Sequence, residues 1–340
     1  MICELGMGII EETIRLENTG RTPVAPVITS KREKFSEVVK NSESVLKKFD
    51  GFLLHPAVFD SGWVYLPSKP SLGEPVQIIK DIDGYDDLCD FGPVEYAFKI
   101  HKENDLIVDL EKRLAETPGL VSSFVEETGG WGVASYCGAM GITPIGYISY
   151  YRGFNETMRD MAKDQQKIYN TAMIIAKMYP KFLAEFAKSC KVPRVWVSFT
   201  NATPAIVGDY YFDKIVWPTT KTMLEGMIKE GVMPIIQFEE NAKNLKFLTQ
   251  LPPKSYIVHI SRDSDLLRVS ETLANQAAVM GNFKVPADQE EGSRIRDLAG
   301  RLASGTPKNL IISTDGGEPF ILTSHNVEKL STLEPFLNKG

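Results

Sequence analysis

The feature that most constrains this chain is a recurrence of short Val- and Ile-rich runs separated by longer stretches with helical apolar spacing. Pro23 to Ile28, Gly119 to Val125, Gly141 to Ile148, Arg194 to Phe199, Met233 to Phe238, Ser255 to Ile260, Ala277 to Met280 and Asn309 to Ser313 are bounded by Gly, Pro or polar residues. Runs this short and apolar read as strands buried on both faces. Between them, Asp164 to Cys190 places Ile168, Ile175, Met178, Phe182 and Phe186 at helical spacings, with Pro180 expected to kink or split the helix. Thr219 to Glu230 gathers Met223, Leu224, Met227 and Ile228 on one helix face and stops at Gly231, a suitable left-handed cap. Buried strands alternating with helices imply a parallel sheet with crossovers. About eight of them predict an α/β fold of the closed (β/α)8 TIM-barrel type.

The chain has 340 residues, against ~250 for a typical barrel of this kind. The surplus falls mainly in residues 29–118, read as an N-terminal helical and loop elaboration near the barrel mouth. No repeat, low-complexity tract or Gly/Ser linker divides the sequence, so residues 1–340 are expected to form a single barrel domain. The 38 basic and 44 acidic residues are interleaved, giving a net charge of -6. With no basic stripe to neutralise phosphates, nucleic acid is not an expected partner. No apolar run reaches the ~18 residues of a membrane span, and the N-terminal stretch carries glutamates where a secretion signal needs lysines; a cytoplasmic location is expected. Cys3, Cys89, Cys137 and Cys190 are too far apart for a zinc knuckle and read as reduced, mostly buried thiols. On that location the sequons at Asn155 and Asn201 carry no meaning.

In such a barrel, chemistry gathers at the carboxyl ends of the strands. The positions there are Glu239 and Glu240, His259, Asn282 and Asp315. Each has a plain alternative as a helix cap or a satisfied core group. Several titratable groups on separate strand ends together favour a site, since each must otherwise find its own partner in a poorly solvated mouth.

Several ordered patches resemble the uroporphyrinogen decarboxylase-like superfamily, and within it the corrinoid-dependent methyltransferases. They are Gly20-Arg21-Thr22-Pro23-Val24-Ala25-Pro26, Tyr151-Arg152-Gly153-Phe154 leading to Met158 and Asp160, and Phe212 to Pro218. Glu225 to Glu239, Arg262 to Asp265, Met280-Gly281-Asn282 and Ile311 to Pro319 continue the likeness. Two departures narrow it. The arginine-rich segment that holds porphyrinogen carboxylates is replaced by Ile28-Thr29-Ser30-Lys31-Arg32-Glu33-Lys34. The His-x-Cys pair and later Cys of the thiol-alkylating branch are replaced by Gln237-Phe238-Glu239 and Asp315. The resemblance therefore implies the methyl-donor side: an enzyme of the ether-cleaving O-demethylase methyltransferase I type, which moves a methyl group from a small substrate, best a phenyl methyl ether, to the Co(I) of a separate corrinoid protein. It further implies zinc held by a Glu, Glu, His set, here Glu225, Glu239 or Glu240, and His259, with Asp315 as an alternative ligand. The spacings fall a residue or two short of the family's, which bears most on Glu225.

Cleaving an ether requires stabilising a poor oxygen leaving group. Zinc on Glu239, His259 and either Asp315 or Glu225 would act as a Lewis acid. The same residues allow a metal-free version in which Glu239 or Asp315 protonates the oxygen. Trp131, Tyr136, Trp196, Phe199 and Tyr211 are aromatic candidates to line a cleft for a methoxyarene, and Asn201 and Asn282 polar candidates; ordinary barrel packing explains each aromatic as well. Gly129-Gly130-Trp131-Gly132 lacks a phosphate-loop pattern and reads as a mouth loop. His55, His101 and His325 have no neighbouring cluster. No Asp-x-His-x-x-Gly segment is present to ligate cobalt from below, so cobalamin is expected to arrive on a corrinoid carrier protein, and a homodimer is left open. A decarboxylase or lyase acting on a small acid, a methylamine or betaine methyltransferase, and a non-catalytic barrel are the competing readings.

Overall fold

The computed structural model describes residues 8–18, 20–29, 35–54, 78–104, 110–129, 138–239, 245–302, 305, 307–315, 320–323 and 325–337. The chain falls into two compact units, the first made of Met1–Phe59, Leu120–Cys137 and Ile235–Gly340, the second of Asp60–Gly119 and Gly138–Pro234. Nine strands are described: β1 (Val27–Thr29), β2 (Leu53–Leu54), β3 (Ala139–Ile142), β4 (Arg194–Ser198), β5 (Met233–Gln237), β6 (Ile257–His259), β7 (Ala278–Phe283), β8 (Leu310–Thr314) and β9 (Phe320–Ile321). They form a six-stranded sheet in the order β3-β4-β5-β6-β7-β8 and a three-stranded sheet in the order β2-β1-β9. A single parallel bridge, Val24 to Ile312, joins the lead-in to β1 with β8. The expected closed barrel is therefore corrected: among the described residues no pairing links β2 to β3, and β2, only two residues long, pairs with β1 alone.

In the first unit, every residue of β6, β7 and β8 is buried, which is why their sequences read as unbroken apolar runs. Each fully buried Val, Leu or Ile there is worth ~1.5–3 kcal/mol of transfer free energy. The Gly20 to Pro26 patch has a structural role. Arg21 pairs through both guanidinium nitrogens with Asp50, and Asp50 also accepts the Val24 N–H at 2.8 Å. That grip fixes how the chain enters β1 and β2. The run Gly119 to Val125, expected as a strand, lies inside the helix Leu110–Gly129. Its buried residues Leu114, Thr117, Val121 and Phe124 recur at three and four, the helical period, and override the local β-propensity.

In the second unit, the run Gly141 to Ile148 divides: β3 ends at Ile142 and a helix spans Pro144–Arg152. Thr143 caps that helix by accepting the Gly146 N–H at 3.1 Å, and proline is suited to the first helical position. Asp164 caps the 25-residue helix Gln165–Ser189, which continues through Pro180 without splitting. Pro180 packs toward the helix Trp217–Lys229, where a Cβ on Gly226 would sit 3.0 Å from the proline ring. A π-helical turn, Phe212–Val216, leads into that second helix. It ends as expected: Gly231 has φ +77°, its N–H reaches Ile228 O at 3.0 Å and the Val232 N–H reaches Met227 O at 3.1 Å, a Schellman cap. Arg152 donates to Asp160 at 2.7 Å and to Lys80 O at 2.6 Å, and the Tyr85 hydroxyl donates to the same carboxylate at 2.8 Å. The Tyr151 to Asp160 patch is thus a clamp among helices.

Candidate active site

The ladder of the first unit sets out the candidate site. Gln237 is registered with His259, His259 with Met280, and Met280 with Ile311. Registered residues of a parallel ladder project to one face, and so does the residue two further on. Gln237, His259 and Ser313 therefore share a face near the carboxyl ends of β5, β6 and β8, and all three are buried. The Ser313 hydroxyl has no hydrogen-bond partner among the described residues.

His259 is fully enclosed, and its Nε2 lies 2.9 Å from the carbonyl oxygen of Thr314. A carbonyl only accepts, so the neutral ring carries its hydrogen on Nε2 and its lone pair on Nδ1. Burial pushes the imidazole down to about 4, against the opposing pull of the Thr314 bond. At neutral pH the ring is uncharged. Asp315 follows β8 half-buried. Its Oδ2 accepts the Arg262 N–H at 3.1 Å, and its own N–H donates to Phe283 O at 2.9 Å. Glu239 stands two residues beyond β5 on the exposed side of the chain, after Phe238, whose N–H donates to His259 O at 2.9 Å.

Asn282 is fully buried on β7. Its Nδ2 donates to the carbonyls of Ser261 at 2.9 Å and Ser264 at 2.8 Å, and its Oδ1 accepts from Arg294 at 3.3 Å. The amide expected to meet substrate is engaged with the loop after β6. Trp196, Phe199, Asn201, Tyr211 and Glu225 lie in the second unit. Trp196 and Phe199 are each 1% exposed and belong to its packed interior. Asn201 is half-buried in a left-handed turn, φ +57°, a conformation Asn tolerates better than most residues. Tyr211 is half-buried with its ring edge-on to Tyr210. Glu225 is an exposed helical carboxylate 3.7 Å from Lys221 one turn earlier. Trp131, Tyr136 and Glu240 lie outside the described residues.

The described residues alone do not assemble the expected zinc ligands. Among the described residues no group of three or more His, Cys, Asp or Glu side chains converges well enough to hold a metal ion. Glu225 faces solvent on its helix, Asp315 is drawn onto the Arg262 N–H, and Glu239 is exposed. Gln237 stands out in the sequence only as the replacement for the thiol-alkylating branch's histidine, and Ser313 and the Arg262 amide not at all. Two of them interrupt a buried strand at or next to its final residue, the signal that could have found them. The thiols match their expectation where described: Cys190 is buried, its thiol pushed up to about 12 by burial, and Cys89 is half-buried. His101 is buried and His325 exposed. No described helix is long and apolar enough to cross a membrane.

Fold and site together define an α/β protein with a six-stranded parallel sheet and buried polar groups at the ends of three of its strands. No protein-family model matches the chain, and no curated protein matches it by sequence. Among solved structures it is similar to a methyltransferase from Methanosarcina mazei, with a TM-score of 0.61 at 11% identity over 97% of this chain and 99% of that one. That likeness speaks for the fold. A xylose isomerase domain protein from Planctomyces limnophilus matches at a TM-score of 0.42 and 9% identity, covering 94% of this chain and 98% of that one. The pneumococcal virulence factor StrH matches at 0.46 and 10%, covering 98% and 86%. Both scores are too low to bear on the argument.

Proposed function

We propose that the chain is a methyltransferase that removes a methyl group from a small donor, best a phenyl methyl ether, and delivers it to the Co(I) of a corrinoid held by a separate carrier protein. The observation that carries the reading is the full-length fold likeness to a methyltransferase. It is supported by polar side chains lying where a parallel α/β fold concentrates its chemistry.

The corrinoid supplies the nucleophile; leaving-group chemistry falls to this chain. As the methyl carbon–oxygen bond breaks, the electron pair stays on oxygen, and Asp315 or Glu239, in its acid form, is the group of this chain assigned to deliver a proton to it. Asp315 is the better placed, being half-buried and oriented by the Arg262 amide. His259, neutral and fixed by Thr314, adds a polar wall without a competing cation. The Ser313 hydroxyl is available to donate to the same oxygen. No step is assigned to zinc, since among the described residues no three His, Cys, Asp or Glu side chains are grouped to hold a metal ion.

The test is to incubate the purified chain with cob(I)alamin, a competent corrinoid carrier and a panel of methoxyarenes, methylamines and betaines, and to watch for the methylcobalamin spectrum. The expected result is methylcobalamin with a methoxyarene, together with the free phenol. No methylcobalamin from any donor refutes the reading, and release of carbon dioxide from a small acid without a corrinoid requirement replaces it with a lyase.

A further inference from the structure

Around Asp315 lies a set of bonds that the proton transfer itself does not use. Glu291 is buried, 1% exposed. Its carboxylate takes two bonds from Arg294, Nε to Oε2 at 3.1 Å and Nη2 to Oε1 at 2.9 Å, and Oε1 also accepts the Lys284 N–H at 2.8 Å. Held this way, the guanidinium lies 4.6 Å over the Phe283 ring. Its remaining hydrogens go to Asn282 O at 2.5 Å, Asn282 Oδ1 at 3.3 Å and Arg262 O at 3.2 Å. A rigid planar fork can serve these acceptors together, whereas a lysine, a point charge on a flexible stem, cannot.

The Asn282 amide has only one workable orientation in this setting. Turned over, it would set its NH2 against the guanidinium and its oxygen against the Ser261 and Ser264 carbonyls. Arg294 therefore orients Asn282, and the two hold the loop 261–264 by three of its carbonyls. The amide that emerges from this loop, Arg262 N–H, is the one that binds Asp315 Oδ2 at 3.1 Å. The loop's own turn bond, from the Ser264 N–H to Ser261 O at 3.1 Å, closes it locally; the bonds from Asn282 and Arg294 tie its peptide groups, and with them the amide that meets Asp315, to β7 and the following helix.

We propose that Arg294 is a positioning residue for Asp315, acting through Asn282 and the loop 261–264 to fix the amide that aims the carboxylate at its substrate. The proposal rests on the reading of Asp315 as the proton donor, and its test separates the two. Hydrogen exchange of the full chain is measured for wild type, R294A, R294K and D315N, and methyl transfer to cob(I)alamin is assayed for the same set and for R294A/D315N. The expected result is exchange of the Arg262 amide at least tenfold faster in R294A, with the core strands unchanged. R294A lowers kcat at least tenfold with KM held within twofold, R294K fails to restore it, and the double variant is no slower than D315N. Full kcat in R294A, or losses in the two single variants that multiply in the double, overturns the proposal. If R294A does not fold, R294K carries the same comparison, and unchanged exchange at Arg262 in a folded variant overturns it as well. If the wild type transfers no methyl group, the functional reading fails, and the exchange arm alone decides whether Arg294 controls the Asp315 amide.

Discussion

Acid should unfold this protein partly through one histidine, and the size of the effect follows from where His259 sits. In an unfolded chain its imidazole titrates near 6.5; in the folded chain burial holds it near 4. The folded state thus disfavours the charged ring, so the associated stability is fully present above pH 6.5 and is lost as pH falls toward 4. The loss is ~1.4 kcal/mol per pH unit across that window, about 3 kcal/mol in total. A glutamine at this position can still donate to Thr314 O but cannot titrate. His259→Gln should cost stability at pH 7, and its deficit relative to wild type should shrink by about 2.5 kcal/mol on moving to pH 4.5. Urea unfolding followed by tryptophan fluorescence at the two pH values measures this, with an NMR titration of the ring Cε1–H as a direct check. A deficit that stays constant between pH 7 and 4.5, or a ring titrating near 6.5 in the native protein, refutes the reasoning.

Asp160→Ala removes the carboxylate shared by Arg152 and the Tyr85 hydroxyl, leaving Arg152 with Glu156 at 3.7 Å, and should destabilise the chain by ~1.5–3 kcal/mol, read from chemical denaturation. Gly226→Ala places a Cβ 3.0 Å from the Pro180 ring; a loss of ~1–3 kcal/mol is expected from the shift this forces, visible as a lowered Tm. Elemental analysis of the purified, dialysed chain reads whether it holds zinc, for which the described residues alone assemble no three-ligand group. A retained equivalent of zinc would show that the chain completes a ligand set with residues such as Glu240.

How much of the site was legible depends on the kind of information each residue carries. Strand ends were, because burial on both faces forces an apolar run and a polar residue then marks where it stops; His259 and Asp315 are candidates on that ground. The bonding partners were not. Arg294 lies 32 residues from Arg262 and reads as one more charged residue on an amphipathic helix. Asn282 reads as a substrate contact until the carbonyls of Ser261 and Ser264 are found against it.

The sequence by itself determined the elements whose causes are local. The Schellman end at Gly231 and most strands of the large sheet follow from dihedral preferences and hydrophobic period. Tertiary structure decided what depends on contacts between distant segments. It made Gly119 to Val125 helical, because burying Leu114, Val121 and Phe124 on one face outweighs a short run's preference. It carried the long helix through Pro180 beside the space left by Gly226. It set Glu225 on a solvated helix surface, because the apolar side chains of that helix claim its buried face. Spacing along a chain constrains which residues can meet, but packing free energy, summed over the whole fold, selects which of them do.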